Sequence, residues 1–499
     1  MAIERQTSAL PPAQPSYILR GHASQIHSVR FVRRNSRLLT GDADGWIVYW
    51  KLETKRALAV WKAHEGAILG AQEWGRDKLI THGRDNSLRI WQLRASDEPT
   101  SSTVLPAEDA TTPRPKPWLL YTLPVNTLNF CAFSLCSSSA HDGPNKVVGT
   151  SSDAMLVATP STDDKKINIY QFPEEKLRYV VPIIPMVDSG MVMAVKLVHH
   201  TTSNTVLILS GYEGGLTAVH RLPSAEASSV QSTELIYLSQ PHTQPILSLD
   251  ISADNRTYFT SAADAVIAAH IIPDLFNGIA QGKSAKAQNA PLPATSAAEI
   301  AAKDTTSSIP PLSAIRSKSP DISLTDSNPT LPLSFSKQPL RPPQPTSPKP
   351  AGLSSLLASA PSQSTPNLLP QKPPRITIQQ PHKSTNTKHS GQQSLRVRSD
   401  GRILATGGWD TRIRIYSTKT LKEVAVLKWH KEGIYAVDFA EVLDAGDLAG
   451  QDGQGGDGEV VRKETGLGKL QKQREQAMQL KHWIVAGAKD GKVSLWEVF

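Results

Sequence analysis

The chain has 499 residues, a formal net charge of +9 at pH 7 and two cysteines. That length fits either several domains or one large repeat fold. The basic excess is dispersed, which permits an acidic partner but supplies no dense run for direct nucleic-acid binding.

After a flexible start at residues 1–16, the first strand-like run is residues 17–20 (YILR). It ends on Gly21-His22, which opens a unit. The unit has an alternating segment at residues 26–32, a short apolar run Leu38-Leu39-Thr40, a tight turn Asp42-Ala43-Asp44-Gly45 and a strand WIVYW at residues 46–50. The same order returns at residues 79–91 (LITHGRDNSLRIW), 404–416 (LATGGWDTRIRIY) and 484–496 (IVAGAKDGKVSLW). Recurrence with one internal spacing marks a repeat architecture.

The unit resembles the WD repeat, one blade of a β-propeller. The resemblance implies a hydrogen-bonded chain from a turn Asp to a His, to a Ser or Thr, to a Trp N–H. Such a chain satisfies buried polar groups and locks the turn. By spacing, blade 1 uses His22, Thr40, Asp44 and Trp50, and blade 2 uses His64, Thr81, Asp85 and Trp91. Blade 6 uses His389, Thr406 and Asp410, with Tyr416 in place of Trp. Blade 7 uses His430, Asp490 and Trp496, with Ala486 where a hydroxyl is usual, so a weaker network is expected there. These sets also have the composition of hydrolase triads, but a catalytic site is unique whereas these recur once per blade.

The remaining elements follow in order. Residues 57–61 form the outer strand of blade 1, and residues 118–123 that of blade 2 after a polar insertion at 95–117. Blade 3 is degenerate, with strands at 128–135, 156–159, 167–172 and 177–181 and Tyr170 at the Trp position. Blade 4 uses 191–198, 206–209, 216–220 and 235–238, with Ser210 but no turn Asp. Blade 5 uses 246–251, 258–261 and 266–271, with His242, Asp264 and, at the Trp position, His270. His220 and His270 read as packed strand residues rather than ligands.

Residues 273–374 are rich in Pro, Ser, Ala and Thr and read as a disordered insertion at a blade edge. Ser319 and Ser347, each before Pro, are phosphorylation candidates, and residues 342–345 fit a PxxP ligand. Residues 375–379 (RITIQ) then read as the outer strand of blade 5, so that 375–440 runs from that strand to the first strand of blade 7. A flexible insertion at 441–481 includes helix formers at 467–480, either a partner-docking helix or a solvated one. The final strands at 482–499 leave blade 7 one strand short, and residues 17–20 complete it. The fold class is thus an all-β, seven-bladed WD-repeat β-propeller. Its closing strand and blades 1–5 span 17–272, the N-terminal strand pairs with the last blade, and two long low-complexity insertions interrupt the ring.

The sequence contains no GxxxxGK[ST], CxxC, HExxH or Gly-rich dinucleotide fingerprint, so no cofactor or metal is expected and no enzyme class is indicated. Cys131 and Cys136 read as buried reduced thiols of an intracellular protein. Residues 1–16 carry Glu4 and Arg5 and no apolar core, so no secretory signal is expected. The most apolar window, 179–198, is broken by Pro182, Pro185, Asp188 and Gly190, which argues against a membrane span. Arg30, Arg33, Arg34 and Arg37 cluster at one turn and could meet an acidic partner or simply solvate a blade edge.

Two terminal stretches carry a closer resemblance: LRGH followed by LLTGDADGWIVYWKLETKRALAVWKAHEGAILG, and WIVAGAKDGKVSLWEVF. Together with the layout of insertions they are similar to a fungal family of ASTRA-complex subunits. The resemblance implies a nuclear, non-enzymatic scaffold, monomeric within its complex. It also implies links to chromatin remodelling and to the assembly and stability of phosphatidylinositol-3-kinase-related kinases. Its partners would be other ASTRA components, including a kinase-like scaffold and AAA+ ATPases, with no membrane contact. A WD adaptor of another complex, either a ubiquitin-ligase substrate receptor or a G-protein β-like subunit, is the competing reading. The candidate partner-binding residues are Gln25, Trp46, Ala67, Leu69, Trp409 and Tyr435, at the loops beside the central channel. Trp46 and Trp409 there serve either as exposed anchors or as packing between blades.

Overall fold

The computed structural model describes residues 13–109, 114–127, 130–138, 154–185, 187–200, 205–223, 229–273, 377–449 and 466–498. All lie in one compact unit of residues 1–281 and 374–499. Ser319, Ser347 and the PxxP run lie outside the described residues.

Seven antiparallel sheets follow one another in a ring. Blade 1 is typical: Ile26–Val32, Arg37–Asp42, Trp46–Lys51 and Arg56–Lys62, each paired to the next. Its β-branched and aromatic residues suit a pleated surface that is buried on both faces. Trp46–Lys51 is accordingly buried at every position but Lys51. The core is distributed between neighbouring blades. Tyr49, Trp61, Ile68 and Trp91 fill the gap between blades 1 and 2. Burial of each such side chain is worth about 1.5–3 kcal/mol.

The ring closes as expected. Tyr17–Arg20 pairs antiparallel with Lys492–Glu497, from Tyr17↔Leu495 to Arg20↔Lys492. Leu19, 2 % exposed, packs with Ile26, Trp50, Val485 and Leu495 between blades 7 and 1. This pairing covers the edge that Lys492–Glu497 would otherwise present, and each blade keeps one short outer edge.

The same seam is clipped from the opposite side. Arg33, Arg34 and Asn35 take consecutive φ values of 53°, 51° and 63°, a left-handed run that costs free energy in non-glycine residues. The Asn35 amide holds this turn in place. It donates to Glu441 O (2.7 Å) and Gln479 O (3.0 Å) and accepts from Glu441 N (2.9 Å). Gln479 ends the helix Gly466–Gln479 and donates to Arg34 O, while Glu475 pairs with Arg37 at 2.8 Å. The C-terminal end of this helix is therefore docked on the ring itself. The arginine cluster is also largely committed: Arg33 donates to Leu93 O, and Arg37 also pairs with Glu98.

Two expected strands are corrected. The outer strand of blade 5 is Lys383–Asn386, paired with Val266–Ile271, and not residues 375–379. Connections from an outer strand to the next blade are short here: residues 387–391 in blade 5, as 63–67 in blade 1 and 429–433 in blade 6. That tether places the outer strand close to Gln392 whatever the propensity of RITIQ. Gln379 instead bridges in parallel to Ser239 of blade 4. The first strand of blade 3 is Ser134–Ser137, shorter than residues 128–135. No described helix is long and apolar enough to cross a membrane.

Candidate protein-docking channel

The first strand of each blade lines the channel, and a repeated bulge shapes its mouth. Register shifts occur at Ile26/Ser28, Ile68/Gly70, Val192/Ala194, Ile246/Ser248, Gln392/Ser394 and Ile434/Ala436. A bulge leaves one residue out of the ladder and re-aims it. The residues left out are His27, Leu69, Met193, Leu247, Gln393 and Tyr435, and all line a cavity of about 490 Å³ with Phe130 and Trp409.

Deeper in, one ladder position per blade forms a belt: Arg30, Gln72, Ser134, Lys196, Asp250, Arg396 and Asp438. From blade 4 through blade 1 the charges alternate. Lys196 meets Asp250 at 2.9 Å, and Asp438 meets Arg396 at 3.8 Å and Arg30 at 3.2 Å. Both acids also accept N–H groups from the next blade, Asp250 from Val397 and Asp438 from Phe31, each at 2.9 Å. Inner strands thus cap one another's exposed edges with side chains, which rigidifies the ring. Burial opposes the charge on Asp250, but Lys196 and Arg396 outweigh it and hold its pKa below the ordinary carboxylate value.

The polar networks fix the loops around the mouth. In blade 2, His64 Nδ1 lies 2.8 Å from Asp85, its Nε2 2.7 Å from Thr81 Oγ1, and Trp91 Nε1 donates to Thr81 at 2.8 Å. Burial lowers the His64 pKa, so the neutral ring is favoured.

Blade 1 has the same chain of bonds but a different acid. Asp42, not Asp44, meets His22 Nδ1 at 2.7 Å; His22 Nε2 reaches Thr40 at 2.6 Å and Trp50 donates to Thr40 at 2.8 Å. Asp42 Oδ1 also accepts the N–H groups of Asp44 and Trp46. Asp44 is exposed. The position of Asp42 is taken in blade 2 by Gly83, where an added Cβ would come within 2.3 Å of the His64 ring. With no side chain possible there, the carboxylate comes from Asp85.

Blade 5 runs from Asp264 (3.1 Å) through His242 and Thr260 to His270 Nε2 (3.3 Å), and His270 Nδ1 continues to Tyr237 of blade 4 (3.0 Å). Burial pushes His270 down to about 3. His220 is likewise buried and pushed down to about 3.

Blade 6 departs from expectation. His389 is not the network histidine: it is half-buried, and its Nδ1 lies 3.6 Å from Asp410. Asp410 is instead gripped by Arg414 at 2.9 and 2.6 Å. Thr406 donates to the amide of Gln392, which stands where other blades have Ile26, Ile68, Ile246 and Ile434. Tyr416, at the Trp position, is buried and its pKa is pushed up to about 12.

In blade 7, His430 Nε2 meets Ser494 Oγ at 2.7 Å and Trp496 Nε1 donates to the same oxygen at 2.9 Å. Asp490 lies 3.9 Å from His430, beyond hydrogen-bond range, and binds Lys492 at 2.7 Å.

The candidate docking residues divide. Trp46 is only 4 % exposed and lies under the Arg114 guanidinium at 4.7 Å, so it is not a free anchor. Gln25 and Ala67 are half-buried, and their carbonyls accept turn N–H groups from Ala43 and Arg84. Leu69 and Tyr435 are half-buried at the mouth, with Tyr435 edge-on to His27 at 5.8 Å. Trp409 is 48 % exposed, and its indole N–H is held by Gln393 at 2.9 Å. It rests against Gly391, whose φ is +73° and where a Cβ would fall 2.2 Å from the ring. Sequence reasoning missed Phe130, 56 % exposed and stacked under Arg84 at 4.0 Å, and the bulge residues Met193 and Leu247. The bulge residues follow the first apolar position of their inner strands, Ile26, Ile68, Val192, Ile246 and Ile434, except in blade 6, where Gln392 holds that place.

The described residues thus form a closed seven-bladed β-propeller with networked turns and a channel mouth that combines aromatic and polar side chains. The family profile of ASTRA-associated protein 1 matches residues 15–496. The ASTRA-associated protein 1 of Pyricularia oryzae is 41 % identical over 99 % of this chain and 100 % of its own length. That of Verticillium alfalfae is 38 % identical over 97 % and 93 %, and that of Schizosaccharomyces pombe 25 % over 88 % and 96 %. This chain belongs to the ASTRA-associated protein 1 family.

Proposed function

We propose that the chain is a non-enzymatic scaffold subunit of the ASTRA complex, working in the nucleus. In this reading it contributes to chromatin remodelling and to the assembly and stability of phosphatidylinositol-3-kinase-related kinases. Its neighbours are other ASTRA components, including a kinase-like scaffold and AAA+ ATPases. The names of its relatives support the association. The observation that carries the mechanism is the exposed Trp409, fixed by Gln393 and Gly391 at the mouth of the channel. A large, rigid aromatic beside a cavity of mixed polar and apolar lining binds a protein segment at low ordering cost. The Asp–His–hydroxyl sets of blades 1, 2 and 5 are engaged in holding turns, which is why the reading assigns them no catalysis.

The test is purification of the tagged full-length chain from nuclear extract of its own cells, with subunit stoichiometry by mass spectrometry. Recovery of ASTRA components near one per chain supports the reading. Recovery of cullin-type ligase subunits or G-protein γ chains in their place overturns it.

A further inference from the structure

The outer edges of the blades follow a rule. Where the connection between the third and outer strands of a blade is long, a described part of it bonds to the outer edge of the preceding blade. Residues 93–117 of blade 2 reach blade 1, where Val60 N–H donates to Ser102 O at 2.7 Å. Residues 222–233 of blade 4 reach blade 3: Gln231–Ser232 adds as a parallel fifth strand, and Thr233 N–H donates to Val180 O at 3.1 Å. The connection after Ile271 in blade 5 reaches blade 4, where Gln379 N–H donates to Leu238 O at 2.8 Å. Val60, Val180 and Leu238 hold the same ladder position, opposite the partners of Thr40, Thr159 and Ser210.

The corresponding connection of blade 3 is only residues 173–175, so it cannot reach the edge of blade 2. That edge, Trp118–Pro124, has Thr122 at the shared position, opposite Arg89, the partner of Thr81. Among the described residues no segment pairs with it. Among the described residues three other edges also lack such a cover, and each carries charge: Lys383 in blade 5, Glu423 and Lys428 in blade 6, Arg20 in blade 7. Charges on an edge discourage addition of an outside strand, and the self-covered edges carry them too, at Arg56 and Lys62 in blade 1, Lys176 and Arg178 in blade 3 and Glu234 in blade 4. The blade 2 edge reads WLLYTLP, with no charge, and exposes Trp118 by 73 % and Leu119 by 43 %.

We propose that the outer strand of blade 2 is a second docking edge, which takes an extended, uncharged segment of a partner protein by strand addition at Thr122. The chain's own covering segments at Ser102, Gln231–Ser232 and Gln379 are uncharged, and the two that form ladder bridges run parallel to the strand they cover. Main-chain bonds supply the affinity, and Trp118 and Leu119 select an apolar side chain on the incoming segment. The inference rests on the association with the ASTRA complex proposed above.

Hydrogen exchange of the full-length chain, free and within the purified ASTRA complex, tests it. The expected result is slowing of exchange across residues 118–124 by about tenfold or more in the complex only. Thr122→Pro removes the outward N–H, as judged from Val60, without breaking a bond inside the blade, and Trp118→Lys adds a blocking charge. Both are expected to keep the wild-type melting temperature and lose the protection; should the proline variant unfold, the lysine variant carries the test. Slow exchange already present in the free chain, whether from its own segments or from a second copy, overturns the proposal. Recovery of an intact complex with unchanged exchange at 118–124 overturns this edge alone. Recovery of no ASTRA subunit by the wild-type chain overturns the association, and this inference with it.

Discussion

Ala486 and Ser494 are partners across the ladder of blade 7, and the hydroxyl that the blade's network needs has moved from the first position to the second. The oxygen still meets His430 at 2.7 Å and Trp496 at 2.9 Å. A hydrogen-bonded network depends on where an atom sits, not on which strand brings it there.

Ser494→Ala is therefore expected to destabilise the protein by about 1–3 kcal/mol, because two buried nitrogens lose their partner. Adding Ala486→Ser should recover much of that loss. Urea unfolding of the single and double variants checks it. No rescue by the second substitution contradicts the exchange of roles.

Asp42 and Asp44 should differ sharply. Asp42→Ala removes the bond to His22 and two turn bonds, and is expected to cost about 2–3 kcal/mol. Asp44→Ala, at an exposed position, should stay within about 0.5 kcal/mol of wild type. Thermal melting of both decides, and equal effects contradict the assignment of Asp42.

The closing strand should matter beyond its length. Leu19→Ala is expected to cost about 2–5 kcal/mol, as for other fully buried leucines, and removal of residues 1–20 should cost more. Unchanged melting of the truncated chain would show that the ring holds without this strand.

Acid should weaken the fold in a defined window. Burial pushes His82, His220 and His270 down to about 3 and His430 to about 4. Between those values and the ordinary histidine pKa of about 6.5, the unfolded chain binds protons that the folded chain does not. Their contribution is complete above pH ~6.5 and is lost as pH falls toward 3, each histidine adding up to about 1.4 kcal/mol per pH unit. Asp250, with its lowered pKa, adds to the loss only at the acid end, below the ordinary carboxylate pKa of about 4. Urea midpoints from pH 7 to pH 4 should fall steadily, and His220→Leu should flatten the slope. A flat profile contradicts the buried, neutral histidines.

The legibility of this fold in its sequence varied from place to place for physical reasons. The ring and its closure were readable because the spacing from Gly-His through Thr to Trp recurs and residues 17–20 supply the missing strand. Substitutions across a ladder were not readable: Ser494 for Ala486, and Gln392 for a histidine, act through space from positions that other blades fill with apolar or unrelated residues. The outer strand of blade 5 was misplaced because RITIQ has the higher β-propensity, whereas the short tether to Gln392 selects Lys383–Asn386. At the channel mouth Trp409 and Tyr435 were found from their turns, but Trp46 and Trp409 look alike in sequence. Only packing under Arg114 separates the buried indole from the exposed one.

The most direct test of the central claim joins the mouth of the channel to the partner. The full-length chain carrying Trp409→Ala and Phe130→Ala is purified from its own cells beside the wild type, with ASTRA components quantified in both. Both side chains are about half exposed, so the melting temperature should not move. The account predicts at least about a tenfold loss of bound components, the scale of an aromatic anchor worth 1.4 kcal/mol or more. Full recovery of every component by the double variant would contradict it.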